Sequence, residues 1–119
     1  MLVATEAKDA LLNYIKMNTT ELHICSQEPA DYNEASLVYS LGVKNAPGFT
    51  GPQGDPRSIT INGFSDGLAT ATGVGTYWAL VSLGLLLTTN SLLEGINIVP
   101  GFAFAFPDFY IMTLVSGSI

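Results

Sequence analysis

Apolar and polar positions recur with two different periods along this chain, and the change of period separates a short helical start from a long strand-forming remainder. Over residues 6–17, Ala7, Leu11, Tyr14 and Ile15 fall on one stripe at helical spacing and predict an α-helix. Asn18, Thr19 and Thr20 end that pattern. Leu22 to Ser26 then alternates as a short strand, with Leu22 and Ile24 on one face and His23 and Cys25 on the other. Gln27 to Glu34 reads as an acidic loop around Pro29. Ala35 to Lys44 fits two readings: a short helix carrying Leu37, Val38 and Leu41, or a strand from Val38 to Val43.

Residues 45–57 break every period. The stretch holds Pro47, Pro52 and Pro56 together with Gly48, Gly51 and Gly54, and the glycines fall at a collagen-like interval. Three triplets are too few for a triple helix, so an extended surface loop is expected. From Ser58 the chain reads as strands. Ser58 to Phe64 sets Ile59 and Ile61 against Ser58, Thr60 and Asn62, and Ser65-Asp66-Gly67 predicts a turn. Leu68 to Val81 places Leu68, Val74, Trp78 and Leu80 on one face, while the other begins with Ala69, Ala71, Gly73 and Gly75. A face that small admits another backbone or a broad aromatic ring. Leu83 to Thr89 predicts a further strand, Thr89-Asn90-Ser91 a turn, and Phe109 to Val115 the last strand. The expected fold is one mainly β domain over residues 1–119, an antiparallel sandwich or barrel-like sheet with one N-terminal α-helix.

Charge changes the picture next. The 119 residues carry ten acidic and four basic side chains, a net charge of −6. Lys8, Lys16, Lys44 and Arg57 are scattered, so no cationic surface for nucleic acid is expected. Charged residues make up 12% of the chain, about half the usual share of roughly 25%. After Arg57 only Asp66, Glu94 and Asp108 are charged. A surface so poor in charge suggests that part of it faces other protein. Membrane burial is the competing explanation. The uncharged run from Gly67 to Leu93 is broken by threonines, serines and glycines. Its densest apolar part, Val74 to Leu87, falls short of the roughly 20 residues that a spanning helix needs. No membrane span is expected, and Glu6, Lys8 and Asp9 argue against a signal peptide. With Cys25 as the one cysteine, no internal disulfide is expected.

Candidate chemistry is sparse. His23 and Cys25 lie two apart on one strand face, where their side chains start about 7 Å apart by the strand rise. A nucleophile would also need an orienting partner and oxyanion donors. Both are expected to be structural. Glu28, Asp31 and Glu34 offer oxygen ligands but lack the dense acidic pattern and glycine of a calcium loop. Asp55, Asp66, Glu94 and Asp108 each fall beside Gly or Pro in expected turns, a local role rather than a paired catalytic one. Gly73-Val-Gly75 resembles a dinucleotide loop only until Trp78 stands where a third glycine belongs. No catalytic, metal or cofactor site is expected.

The remaining candidates are contacts. Phe102, Phe104 and Phe106 alternate with alanines and fit a core face, a ligand pocket or an interface. Trp78 and Tyr77 point to opposite faces, so one of the two should be the less buried. In the loop, Phe49 is an apolar anchor, Pro52 restricts the free chain, and Arg57 could pair with a neighbour's carboxylate. Phe49, Pro52, Arg57, Trp78, Phe102, Phe104 and Phe106 are therefore the candidate interface residues.

Several of these stretches resemble one family. Ala10-Leu-Leu-Asn-Tyr-Ile-Lys, Leu22-His-Ile-Cys-Ser-Gln-Glu-Pro and Tyr39-Ser-Leu-Gly, with Asp66-Gly-Leu-Ala-Thr-Ala-Thr-Gly, Tyr77-Trp-Ala-Leu-Val and Leu85-Leu-Leu-Thr-Thr, resemble small structural proteins of tailed bacteriophages and prophages. The motifs are packing and turn patterns, so the resemblance carries no functional residues across. It implies a virion protein, most often a capsid decoration (cement) protein that binds and stabilises the shell. The partners it implies are copies of itself, with a trimer favoured, and a major capsid or other virion protein. The alternative is a tail or tail-tip module that recognises a glycan or small ligand.

Overall fold

The computed structural model describes residues 5–54, 57–107 and 110–114. One α-helix, α1 (Thr5–Asn18), precedes β1 (Glu21–Cys25). A π-helix (Glu34–Val38) leads into β2 (Ser40–Asn45), β3 (Phe49–Gln53), β4 (Arg57–Ile61), β5 (Phe64–Ala69) and β6 (Gly73–Ser82). The chain continues through β7 (Leu85–Ile98), β8 (Phe104–Phe106) and β9 (Tyr110–Leu114). Six strands form one antiparallel sheet in the order β7-β6-β1-β2-β5-β8, and three form a second in the order β3-β4-β9. The mainly β fold with one N-terminal helix is the expected one.

Strand β1 is central and buried on both faces, which explains why its alternation carries little polarity. Leu22 and Ile24 enter the main core with Leu12, Ile59, Ile61, Trp78, Leu80, Phe104 and Phe106. Cys25 faces the other way, into a small cluster with Ala35, Ala79 and Val81 beneath the π-helix. The ambiguous stretch from Ala35 to Lys44 thus holds both elements, the helix first and the strand after it. The π-helix starts on a local cap: Glu34 N donates to Asp31 Oδ1 at 2.9 Å, and Ala30 N donates to Glu34 Oε1 at 2.8 Å. Two of the three candidate calcium ligands are committed to this cap.

Three expected turns or loops are strand instead. The stretch 45–57 contains β3, which pairs with β4 through Phe49↔Ile61, Thr50↔Thr60 and Gln53↔Ser58. Its Gly51–Pro52 bond is cis, and Gly51 takes a φ of 105° that favours glycine. Asp55 and Pro56 lie outside the described residues. Ser65-Asp66-Gly67 lies within β5, where Lys44 Nζ on β2 pairs with Asp66 Oδ1 at 3.0 Å. The β6–β7 reversal comes at Leu83-Gly84, and β7 runs straight through Thr89-Asn90-Ser91. Asp108, Phe109 and Val115 lie outside the described residues.

A bulge also overturns the expected alternation in β6. Its partner on β7 jumps from Ile96 opposite Gly75 to Ser91 opposite Tyr77, so Leu92 to Gly95 loop out opposite Thr76. The face of β6 flips at that point. Gly75 and Trp78 are both buried, although strict alternation would send them to opposite sides. The small face is filled from within the chain. A Cβ on Gly75 would collide with Ile24 Cγ2, and one on Gly42 or Gly67 would collide with the Phe104 ring. Tyr77 is half-buried and is the less buried of the Tyr77–Trp78 pair, as expected.

Candidate functional site

Helix α1 lies with Lys8, Asp9 and Lys16 turned toward the body of the protein, while Glu6 is exposed. Lys8 is only 4% exposed and Leu12 is buried. Arg57 on β4 donates from Nε to Asp9 Oδ1 at 2.8 Å and from Nη2 to Asp9 Oδ2 at 3.1 Å. Lys16 Nζ donates to the carbonyl of Gly51 on β3 at 2.8 Å. The polar groups at this end of the β3–β4 ladder supply partners for the charged heads, while the long lysine stems cover apolar surface. The expected inward stripe is therefore corrected. Ala7, Leu11 and Tyr14 face solvent, Ile15 is half-buried, and Met17 is 81% exposed. Full burial of one such large side chain is worth roughly 1.5–3 kcal/mol, so this outward row is a surface with binding energy in reserve.

Other large apolar side chains stand outward at separate places. Leu83 and Leu85 are exposed at the β6–β7 hairpin. Leu68 on β5 is exposed, and Phe102 is 72% exposed beside it. These two border a shallow groove of about 310 Å³ with Asp66, Gly67, Ala69, Gly101 and Ala103. Phe102 is outward because it lies before β8, in a turn where Phe102 N donates to Val99 O at 3.1 Å, so the alternation begins only at Phe104.

Among the candidate interface residues, Trp78, Phe104 and Phe106 are corrected to core residues. Each is almost fully buried, and Phe64 stacks on Phe106 at a centroid distance of 5.4 Å and meets Phe104 edge-on at 5.7 Å. Aromatic rings of this size stabilise most when wholly removed from water, and the bare glycines of β2 and β5 make room for them. Phe49 is half-buried and packs against the same core. Pro52 is half-buried, and its carbonyl accepts a hydrogen bond from Arg57 Nη2 at 3.2 Å. Arg57 holds Asp9 of its own helix, which replaces the expected pairing with a neighbour. Phe102 remains a surface residue.

His23 and Cys25 do not meet one another. Cys25 is buried with its Sγ 3.5 Å from the Ala35 carbonyl oxygen, and burial pushes its thiol up to about 12, far from a reactive thiolate. His23 bridges two polar neighbours: Nδ1 lies 2.7 Å from Ser40 Oγ, and Nε2 lies 3.1 Å from Glu21 Oε1. A carboxylate can only accept, so Nε2 carries the proton toward Glu21 and, in the neutral ring, Nδ1 accepts from the Ser40 hydroxyl. The order hydroxyl, imidazole, carboxylate is that of a nucleophile relay. A nucleophile also requires preorganised oxyanion donors. Ser40 sits in a ladder opposite Cys25, where backbone N–H groups serve the sheet. The side chains of Glu21, His23 and Ser40 lie on the floor of an open cleft of about 540 Å³ that Tyr32, Ser36, Leu37 and Thr70 also line.

Sequence reasoning missed Glu21 and Ser40. Glu21 shares a strand face with His23 and was legible by its spacing of two; Ser40 arrives from β2 and left no signal. Among the described residues no three metal-binding side chains cluster, and no helix is long and apolar enough to cross a membrane. Compared with known proteins, the chain matches no family model, no curated protein and no solved structure.

Proposed function

We propose that this chain is a non-enzymatic structural subunit of a virus particle, a decoration protein that binds the capsid shell and stabilises it. The observation that carries this reading is the outward placement of large apolar side chains on separate faces: α1, the β6–β7 hairpin and the Leu68–Phe102 groove. A subunit that touches more than one neighbour in a particle needs more than one such face. The low charge of the second half supports the same reading, as does the resemblance to phage structural proteins. In this reading the shell contact is the Leu68–Phe102 groove, with Phe102 as the aromatic anchor. The test is to add the purified chain to particles that lack it and count bound copies. Saturation at a fixed copy number per particle supports the reading, and no binding above background removes it.

A second reading, a tail-tip module for a glycan or small ligand, is favoured by the cleft above His23. Tyr32 offers an aromatic platform there, and Ser36, Ser40, Thr70 and Glu21 offer hydrogen-bonding groups. Calorimetric titration with neutral monosaccharides separates the two readings: heat that saturates, and that Tyr32→Ala abolishes, favours the module.

A further inference from the structure

The cleft above His23 is lined by oxygens whose hydrogens are already spent inside the protein. Ser36 Oγ donates to the Tyr32 carbonyl at 2.7 Å. Ser40 Oγ lies 2.7 Å from His23 Nδ1, and the Gly42 carbonyl at 3.4 Å is the other acceptor for its single hydrogen. The His23 Nε2 proton points at Glu21 Oε1, 3.1 Å away. What remains for a ligand is acceptor capacity: lone pairs on two hydroxyl oxygens, and Glu21 Oε2, which has no hydrogen-bond partner among the described residues. Tyr32 and Thr70 add hydroxyls that rotate to suit. No lysine or arginine stands among the described residues that line the cleft, and the Glu21 side chain is 35% exposed there.

We propose that this cleft selects its ligand through a primary ammonium group, so that the ligand of the glycan reading is an amino sugar; the proposal rests on that second reading and names its ligand class. An ammonium carries three donors and no acceptor, the complement of a wall that mainly accepts. Glu21 Oε2 supplies the charged partner and the serine oxygens supply neutral ones. A guanidinium fits less well, because its planar fork asks for both carboxylate oxygens and His23 already holds Oε1. A calcium ion takes several oxygen ligands, whereas Glu21 is the single carboxylate among the described lining residues. A neutral sugar hydroxyl brings one donor where the ammonium brings three, and it leaves the carboxylate charge without a counterpart. Tyr32 offers the aromatic face against which the sugar ring packs.

The experiment is calorimetric titration of the full chain at neutral pH with four probes: glucosamine, glucose, N-acetylglucosamine and butylamine. Glucosamine should bind about tenfold tighter than either neutral sugar, the difference between a charged and a neutral hydrogen bond at a partly exposed carboxylate. Glu21→Gln keeps an oxygen that accepts from His23 and removes the charge, so it should bring glucosamine down to the affinity of glucose. Circular dichroism checks that this variant is folded. Raising salt should weaken glucosamine and leave glucose unchanged, a readout on the wild-type chain that needs no variant. Equal affinity for the three sugars, or a glucosamine preference that folded Glu21→Gln retains, overturns the ammonium site and leaves the glycan reading standing. Butylamine bound as tightly as glucosamine upholds the ammonium site and sinks the glycan reading. No saturable heat from any probe sinks both.

Discussion

Asp9 and Arg57 meet through a two-point fork, Nε to Oδ1 at 2.8 Å and Nη2 to Oδ2 at 3.1 Å, and this fork ties α1 to β4. The planar guanidinium fits both carboxylate oxygens, and a lysine in its place could not. Both side chains are about a third exposed or less, so solvent screens part of the attraction. Arg57→Ala and Asp9→Ala should each destabilise by about 1–2 kcal/mol. Arg57→Lys should recover only part of that. Urea midpoints, with the double variant to close the cycle, measure the coupling; additive losses would show that the fork contributes nothing of its own.

The Phe104 ring rests on two bare glycines, one on β2 and one on β5. A methyl group at Gly67 would overlap three ring carbons, so Gly67→Ala forces either the ring or the strand to move. Overpacking of this kind costs about 1–3 kcal/mol. Gly84→Ala meets nothing within 4 Å, yet Gly84 holds a φ of 75°. Its loss should reflect backbone strain alone and be the smaller of the two. Thermal unfolding of the two variants side by side tests the ranking.

What was legible in the sequence was the period and little of the register. Ile59 and Ile61, Leu22 and Ile24, and the bounds of α1 to within a residue or so all follow from local spacing. Register depends on bulges that leave no local mark. The pairing of β6 with β7 shifts where Leu92 to Gly95 loop out opposite Thr76, and no local spacing in β6 records that shift. The Pro/Gly stretch misled for a related reason: Gly51 takes a positive φ that glycine allows, and a turn-like composition forms part of a strand paired with β4. The orientation of α1 was hidden because Asp9 and Lys16 find partners on β4 and β3 that only the tertiary fold brings near.

Cys25 should be silent in the native protein. Its thiol is raised from an ordinary 9.0 to about 12 by desolvation, so the buried neutral form contributes stability in full below pH 9. That contribution is lost as pH rises from about 9 toward 12, since the unfolded chain ionises there first. Alkaline unfolding should therefore steepen over this window in wild type and less so in Cys25→Ala. Alkylation at neutral pH should label Cys25 only after denaturation, and rapid labelling of the folded chain would contradict its burial.

His23 should matter to stability and not to assembly. Its buried ring bonds Ser40 and Glu21, but Glu21 is about a third exposed and can turn to water, so His23→Ala should cost about 1 kcal/mol. Ser40→Ala removes one end of the relay and should cost less. Both variants should keep the wild-type oligomeric mass. Loss of a measurable hydrolytic activity in Ser40→Ala would instead reveal the relay as a nucleophile.

The central claim is that the chain stabilises a shell, and the temperature of genome release tests it most directly. Particles carrying the intact protein are compared with particles carrying Leu68→Asp/Phe102→Asp and with particles from which the protein has been deleted. Both substitutions fall on exposed side chains, so folding should survive them. The predicted result is lower occupancy of the double variant and release at the same reduced temperature as the deletion. An unchanged release temperature after deletion of the whole protein would contradict the account.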